Sequence, residues 1–129
     1  MIEGDSSMKN SKENDLRITL TKIESLINKP TFKYTILNTG EHEQKLLFNT
    51  SQKYEYVISG KEGDVIKRYS DDRMFLQVLQ EVTIPPKGEL SYDISLPSLK
   101  NGKHYLTIYS TATNIYNPKV TIEFTIETD

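Results

Sequence analysis

Cysteine and tryptophan are both missing from this chain of 129 residues. The first absence removes disulfides, thiolate metal sites and cysteine nucleophiles together. The second leaves 8 tyrosines and 4 phenylalanines as the large side chains with which a core must be filled. Histidine is scarce as well. His42 and His104 stand far apart, each close to turn residues, so a zinc site would need both and a carboxylate besides. The plainer reading makes them exposed loop histidines. Charge of one sign is also lacking, with 16 Lys and Arg against 18 Asp and Glu for a formal net charge of −2. Such a balance offers no global attraction for a phosphate backbone or an anionic lipid surface, which argues against nucleic acid as a partner. No apolar run is longer than the three residues of Leu46-Leu47-Phe48, so no segment is fitted for membrane insertion. At this length one domain is expected, and 36% apolar with 26% charged residues is the composition of a soluble folded chain.

Residues 1–15, Met1 to Asp15, are polar and without period. No apolar h-region follows Met1, so this is not a secretory signal. The segment reads as disordered or vector-derived, with Met8 the natural start, or as the remnant of a removed export signal. The expected compartment is the cytoplasm, with export as the alternative.

From Leu16 onward a period of two takes over. Leu16, Ile18 and Leu20 alternate with Arg17, Thr19 and Thr21, as in a strand with one buried face. Phe32, Tyr34 and Ile36 repeat the pattern, as do Tyr54, Tyr56 and Ile58 before the turn cluster Ser59-Gly60-Lys61-Glu62-Gly63. Leu90, Tyr92, Ile94 and Leu96 follow, and Val120, Ile122, Phe124 and Ile126 give the clearest case. The pattern predicts an all-β chain: an immunoglobulin-like antiparallel β-sandwich of about seven or eight strands in a single domain, with a closed barrel as the alternative. Lys22–Asn28 and Asp71–Leu76 are the only stretches that suggest a short turn of helix. Neither is long enough to cross between parallel strands.

Motifs that carry chemistry are weak. No Gly-x-Ser-x-Gly elbow orients a serine, and Gly60 and Gly63 lack the lysine-serine tail and helix of a phosphate loop. Asp64, Asp71 and Asp72 lack the oxygen spacing of a calcium loop, and paired aspartates at a turn serve more often as caps. An enzyme built from Asp64, Asp71 and His104 is remote, because nothing fixes their mutual geometry. The expectation is a protein that is not an enzyme and takes no metal or other cofactor.

The central stretch is more specific. Phe48-Asn49-Thr50-Ser51-Gln52-Lys53-Tyr54-Glu55 is followed by Arg68-Tyr69-Ser70, then Met74-Phe75-Leu76-Gln77, then Gly88-Glu89 and Tyr92-Asp93. In order and spacing this resembles the BsuPI family, the intracellular proteinase inhibitors of Bacillus, over about Arg17 to Phe124 in outline. The resemblance implies a BsuPI-like β-sandwich over residues 16–129 and, as partner, a subtilisin-like serine protease. It leaves the oligomeric state open. Ser51 stands where the family usually carries glycine before Gln52, and Pro85-Pro86-Lys87-Gly88 is one residue longer than the usual turn. The family-motif residues Phe48, Gln52, Tyr54, Tyr69, Ser70, Phe75, Gln77, Gly88 and Glu89 read more readily as structural than as contacts. Gln52 is expected to bond neighbouring backbone. Phe75 is expected in the core, with Gln77 on the same face of a strand.

Inhibition of such a protease requires a loop or edge strand already held in the extended shape that the cleft binds. Three loops are candidates. Asn114-Ile115-Tyr116-Asn117 carries two large apolar residues before Pro118, which restrains Asn117. Ile84-Pro85-Pro86-Lys87 is stiffened by two prolines. Ser70 to Leu76 offers Arg73-Met74-Phe75-Leu76 but is expected to bury Phe75. For each the simpler reading is an ordinary connection. The competing function is a non-inhibitory immunoglobulin-like module that docks to another protein.

Overall fold

Alternation of side chains decides the architecture. The computed structural model describes residues 15–26, 29–116 and 119–128. Nine strands lie among them: β1 (Leu16–Leu26), β2 (Lys29–Asn38), β3 (Gln44–Phe48), β4 (Tyr54–Gly60), β5 (Val65–Arg68), β6 (Gln80–Ile84), β7 (Glu89–Ser95), β8 (Gly102–Ser110) and β9 (Val120–Ile126). A single 3-10 turn, Tyr69–Asp72, follows β5. Every strand pair is antiparallel. One sheet has the order β1-β2-β7, the other β5-β4-β8-β9, and β3 and β6 form a separate two-stranded ribbon.

In β2 the buried residues are Pro30, Phe32, Tyr34, Ile36 and Asn38, every second one along the strand. In β8 they are His104, Leu106, Ile108 and Ser110. These two faces meet across the sandwich with Tyr56 and Ile58 of β4, Ile94 of β7 and Phe124 and Ile126 of β9. Phe32 meets Phe124 edge-on, with ring centroids 5.4 Å apart, and fills part of the volume that a core tryptophan would take. The β1 side chains Leu16, Ile18 and Leu20 pack against this core from the edge and are half-buried. The molecule is therefore the all-β sandwich that the alternation predicts.

Four expectations change in detail. Nine strands replace seven or eight, because the short β5 and β6 carry little apolar alternation. Residues 22–26 are strand rather than a helical turn. β1 runs on to Leu26, which pairs with Lys29 after an irregularity in register, and residues 27 and 28 lie outside the described residues. The second helical turn is the 3-10 turn Tyr69–Asp72, displaced from Asp71–Leu76. His104 is not an exposed loop histidine either. It lies on β8 with 5% exposure, stacks on Phe124 at 5.5 Å and holds its Nδ1 3.0 Å from the Gly102 carbonyl oxygen. Its place follows from period two, two residues before Leu106 on the inward face. His42 is exposed beside a bend.

The turn cluster after β4 does close a hairpin. The Gly63 N–H donates to Gly60 O (3.0 Å), and the Gly60 N–H donates to Asp64 O (2.9 Å). Gly63 sits at φ 88°, a conformation that glycine adopts without a Cβ penalty. Among the described residues no helix is long and apolar enough to cross a membrane.

Candidate functional site

Four of the residues quoted for the family resemblance, Tyr54, Tyr69, Phe75 and Tyr92, come together in a stack of aromatic rings on the flank of the sandwich. Tyr54 of β4 stacks on Tyr69 of the 3-10 turn at 4.7 Å and tilts against Tyr92 of β7 at 5.2 Å. Tyr56 lies 5.2 Å from Tyr69 on the other side, and Phe75 lies 5.8 Å from it. The Arg73 guanidinium covers the Tyr69 ring at 4.3 Å, a cation–π contact that closes the stack on its solvent side. Burial raises the Tyr54 and Tyr56 phenols above their ordinary range, and it pushes the Tyr92 phenol up to about 12. These rings are neutral packing elements at physiological pH.

A buried carboxylate holds the 3-10 turn in place. Glu55 has 9% exposure, although the period of β4 would turn it outward. Its Oε2 accepts the Ser70 hydroxyl proton at 2.6 Å, and its Oε1 accepts the N–H groups of Ser70 and Tyr56, each at 3.1 Å. Each is a charge-assisted bond, stronger than a neutral one. At the other end of the turn, Asp71 Oδ2 accepts the Arg68 N–H at 2.9 Å and Asp72 pairs with Lys67 at 3.0 Å. The lysine holds the Asp72 carboxyl below its usual range. The paired aspartates are thus a cap and an ion-pair partner.

Beyond this anchor the chain runs from Arg73 to Leu79 without helix, strand or turn, entering extended at Arg73 (φ −124°, ψ 151°). Phe75 points to the stack and is half-buried. Met74 on one side of it is 99% exposed and Leu76 on the other 71%. Leu79 is 82% exposed. Gln77 is exposed too, so it does not share a buried strand face with Phe75. Leu76 is held at both backbone atoms: its N–H donates to Ser51 Oγ (2.9 Å) and its carbonyl accepts the Ser51 N–H (3.0 Å). Ser51 therefore supplies a hydroxyl that a glycine would lack.

The other two candidate loops differ in shape. After Ile84, which is buried, Pro85 to Gly88 form a tight turn in which the Gly88 N–H donates to Pro85 O at 2.8 Å. Lys87 takes the third position at φ 63°. That is the geometry of a type II turn, with proline second and a left-handed residue third. A Cβ on Gly88 would come within 2.8 Å of the Pro85 ring, so glycine fits there for want of space. Glu89 then starts β7 on the surface.

The loop after β8 is tied to β3. The Thr113 N–H donates to Leu47 O at 2.7 Å, and the Asn114 amide both accepts the Leu47 N–H (3.0 Å) and donates to Lys45 O (2.7 Å). Ile115 packs half-buried against the core while Tyr116 is 75% exposed. Asn117 and Pro118 lie outside the described residues. Phe48 and Gln52 serve the frame nearby. Phe48 is a core ring, and the Gln52 amide donates to Tyr54 O at 2.8 Å. Asp64 and His104 line one shallow cavity with Leu99, whereas Asp71 belongs to the 3-10 turn.

Comparison with known proteins follows this geometry. The family model for BsuPI, described as intracellular proteinase inhibitor, matches residues 8–125. The chain belongs to the BsuPI family. No curated protein matches it. Among solved structures, a penta-heme cytochrome c552 from Thermochromatium tepidum is similar at 10% identity and TM-score 0.50, over 76% of this chain and 32% of that one. The β-glucosidase DesR from Streptomyces venezuelae is similar at 8% identity and TM-score 0.40, over 84% of this chain and 15% of that one. The BsuPI chain thus spans about a third or less of these proteins, and the cytochrome likeness is one of fold alone.

Sequence reasoning quoted Tyr54, Tyr69, Ser70 and Phe75 but missed Glu55, Arg73 and Tyr92 as their partners. Nothing in the sequence signalled Glu55, because a charged residue between Tyr54 and Tyr56 is what the outward face of β4 is expected to carry.

Proposed function

We propose that this BsuPI protein inhibits intracellular serine proteases of the subtilisin class in the cytoplasm, by docking a preformed extended segment in the protease cleft, and that it has no catalytic activity of its own. A protease of this class binds an extended chain by strand pairing, with alternate side chains in pockets. A segment held in that shape beforehand loses less conformational freedom on docking, and this difference passes directly into affinity. The observation that carries the reading is the Arg73–Leu79 segment in a chain of a proteinase-inhibitor family. It exposes Met74 and Leu76 to water while its middle residue is fixed at both backbone atoms.

The remaining loops fit a cleft less well. A tight turn at Pro85–Gly88 uses its own carbonyl to close on itself, and Asn114 spends its side chain on β3. The test is a titration of subtilisin with the purified protein. Activity should fall linearly to zero near one equivalent. Undiminished turnover in the presence of a folded sample would replace this reading with the non-inhibitory interaction module.

A further inference from the structure

Met74 and Leu76 are strongly water-exposed apolar side chains in a segment whose backbone is pinned at Leu76. Single exposed apolar residues are ordinary, but here two stand two positions apart in a short stretch that also exposes Leu79. An extended chain places residues i and i+2 on one face and turns their N–H and C=O groups to one edge. Leu76 spends both of these groups on Ser51, so an extended course through this segment leaves the groups of its neighbours Phe75 and Gln77 for the opposite edge. Among the described residues neither Met74 nor Gln77 makes a hydrogen bond. Beneath them, Phe75 is braced by Tyr69, which is itself clasped by Tyr54, Tyr56 and Arg73.

Resting on the proposed inhibitory function, we propose that Met74 and Leu76 are the specificity-determining contacts, filling two alternate apolar subsites of a subtilisin-class protease while the outward backbone edge at Phe75 and Gln77 pairs with the enzyme's strand. The partner this fits is a protease whose pockets take long, uncharged side chains. A cleft selective for basic or acidic residues would leave both side chains in the wrong environment. The side chains of Phe75, Tyr69 and Arg73 act as a brace: they position the segment from the protein side and do not touch the enzyme.

The experiment compares the wild type, the double variant Met74→Ala/Leu76→Ala and the control Ile115→Ala/Tyr116→Ala in the same subtilisin titration, with a thermal melt of each. Met74 and Leu76 are exposed, so their truncation leaves the melting temperature where it was. The inhibition constant of that variant should rise at least about tenfold, as expected when central apolar contacts are removed. The control should inhibit as the wild type does. A wild type that inhibits, together with a Met74/Leu76 variant that inhibits equally well, overturns this assignment and leaves the inhibitory function standing. Full subtilisin activity with excess wild type overturns both.

Discussion

Asn38 shows how much one side chain can organise. It is fully buried at the end of β2, and its amide nitrogen lies 2.8 Å from His42 O, 3.1 Å from Ile84 O and 3.1 Å from Pro85 O. Its Oδ1 accepts the Gly40 N–H at 3.0 Å. Two loops at one end of the sandwich thus share a single fastening. Asn38→Ala would leave several buried backbone groups without a partner, and a loss of about 2–4 kcal/mol in urea unfolding is expected. A loss below about 1 kcal/mol would mean that water replaces the amide without penalty. The same loop carries Lys87 in the left-handed region. Its Nζ donates to Thr39 O (2.7 Å) and pairs with Glu41 (3.0 Å), which helps to hold a conformation that side chains other than glycine resist. None of this was legible in the sequence, because a lone asparagine before Thr39-Gly40 reads as a turn residue and its acceptors lie up to 47 positions away.

At the scale of elements, legibility follows the contrast between faces. β2 and β9 were readable because Phe32, Tyr34 and Ile36, or Ile122, Phe124 and Ile126, alternate with polar residues that meet water. In β8 the inward row begins with His104 and ends with Ser110, so its alternation starts and stops on polar side chains. β5 exposes both Val65 and Ile66 and has no inward row to detect. The Arg73–Leu79 segment was the least readable. Its shape depends on Ser51, 25 positions from Leu76, and on the ring of Tyr69, rather than on local propensities. Ser51 provides the measurable link between frame and segment. Ser51→Ala removes the acceptor for the Leu76 N–H and leaves the backbone bond from the Ser51 N–H to Leu76 O in place. Amide exchange at Leu76 should accelerate by about fivefold, in keeping with a net hydrogen-bond contribution near 1 kcal/mol. Inhibition should weaken in parallel while the melting temperature changes little. Unaltered exchange at Leu76 would show that the backbone bond suffices.

For the whole molecule, the tyrosines that replace a core tryptophan set the response to alkali. Burial raises the phenols of Tyr34, Tyr54, Tyr56 and Tyr92, the last to about 12. The unfolded chain releases these protons near pH 10, whereas the folded chain retains them. Above pH 10 the unfolded state therefore binds fewer protons than the native state, and stability declines as pH rises toward 12. Phenolate absorbance should report that these four tyrosines ionise late, together with loss of the β circular-dichroism signal. Simultaneous ionisation of all 8 tyrosines with the fold intact would contradict the packing described. The outline of the sandwich has a further consequence at β3. All of its residues are in register with β6, while the backbone groups of Lys45 and Leu47 on the other edge bond to Thr113 and Asn114. The Asn114 carboxamide imitates one rung of a peptide ladder, so a two-stranded ribbon is sealed along its outer border without a third strand. Foreign chains seeking a template for cross-β stacking find that border already occupied.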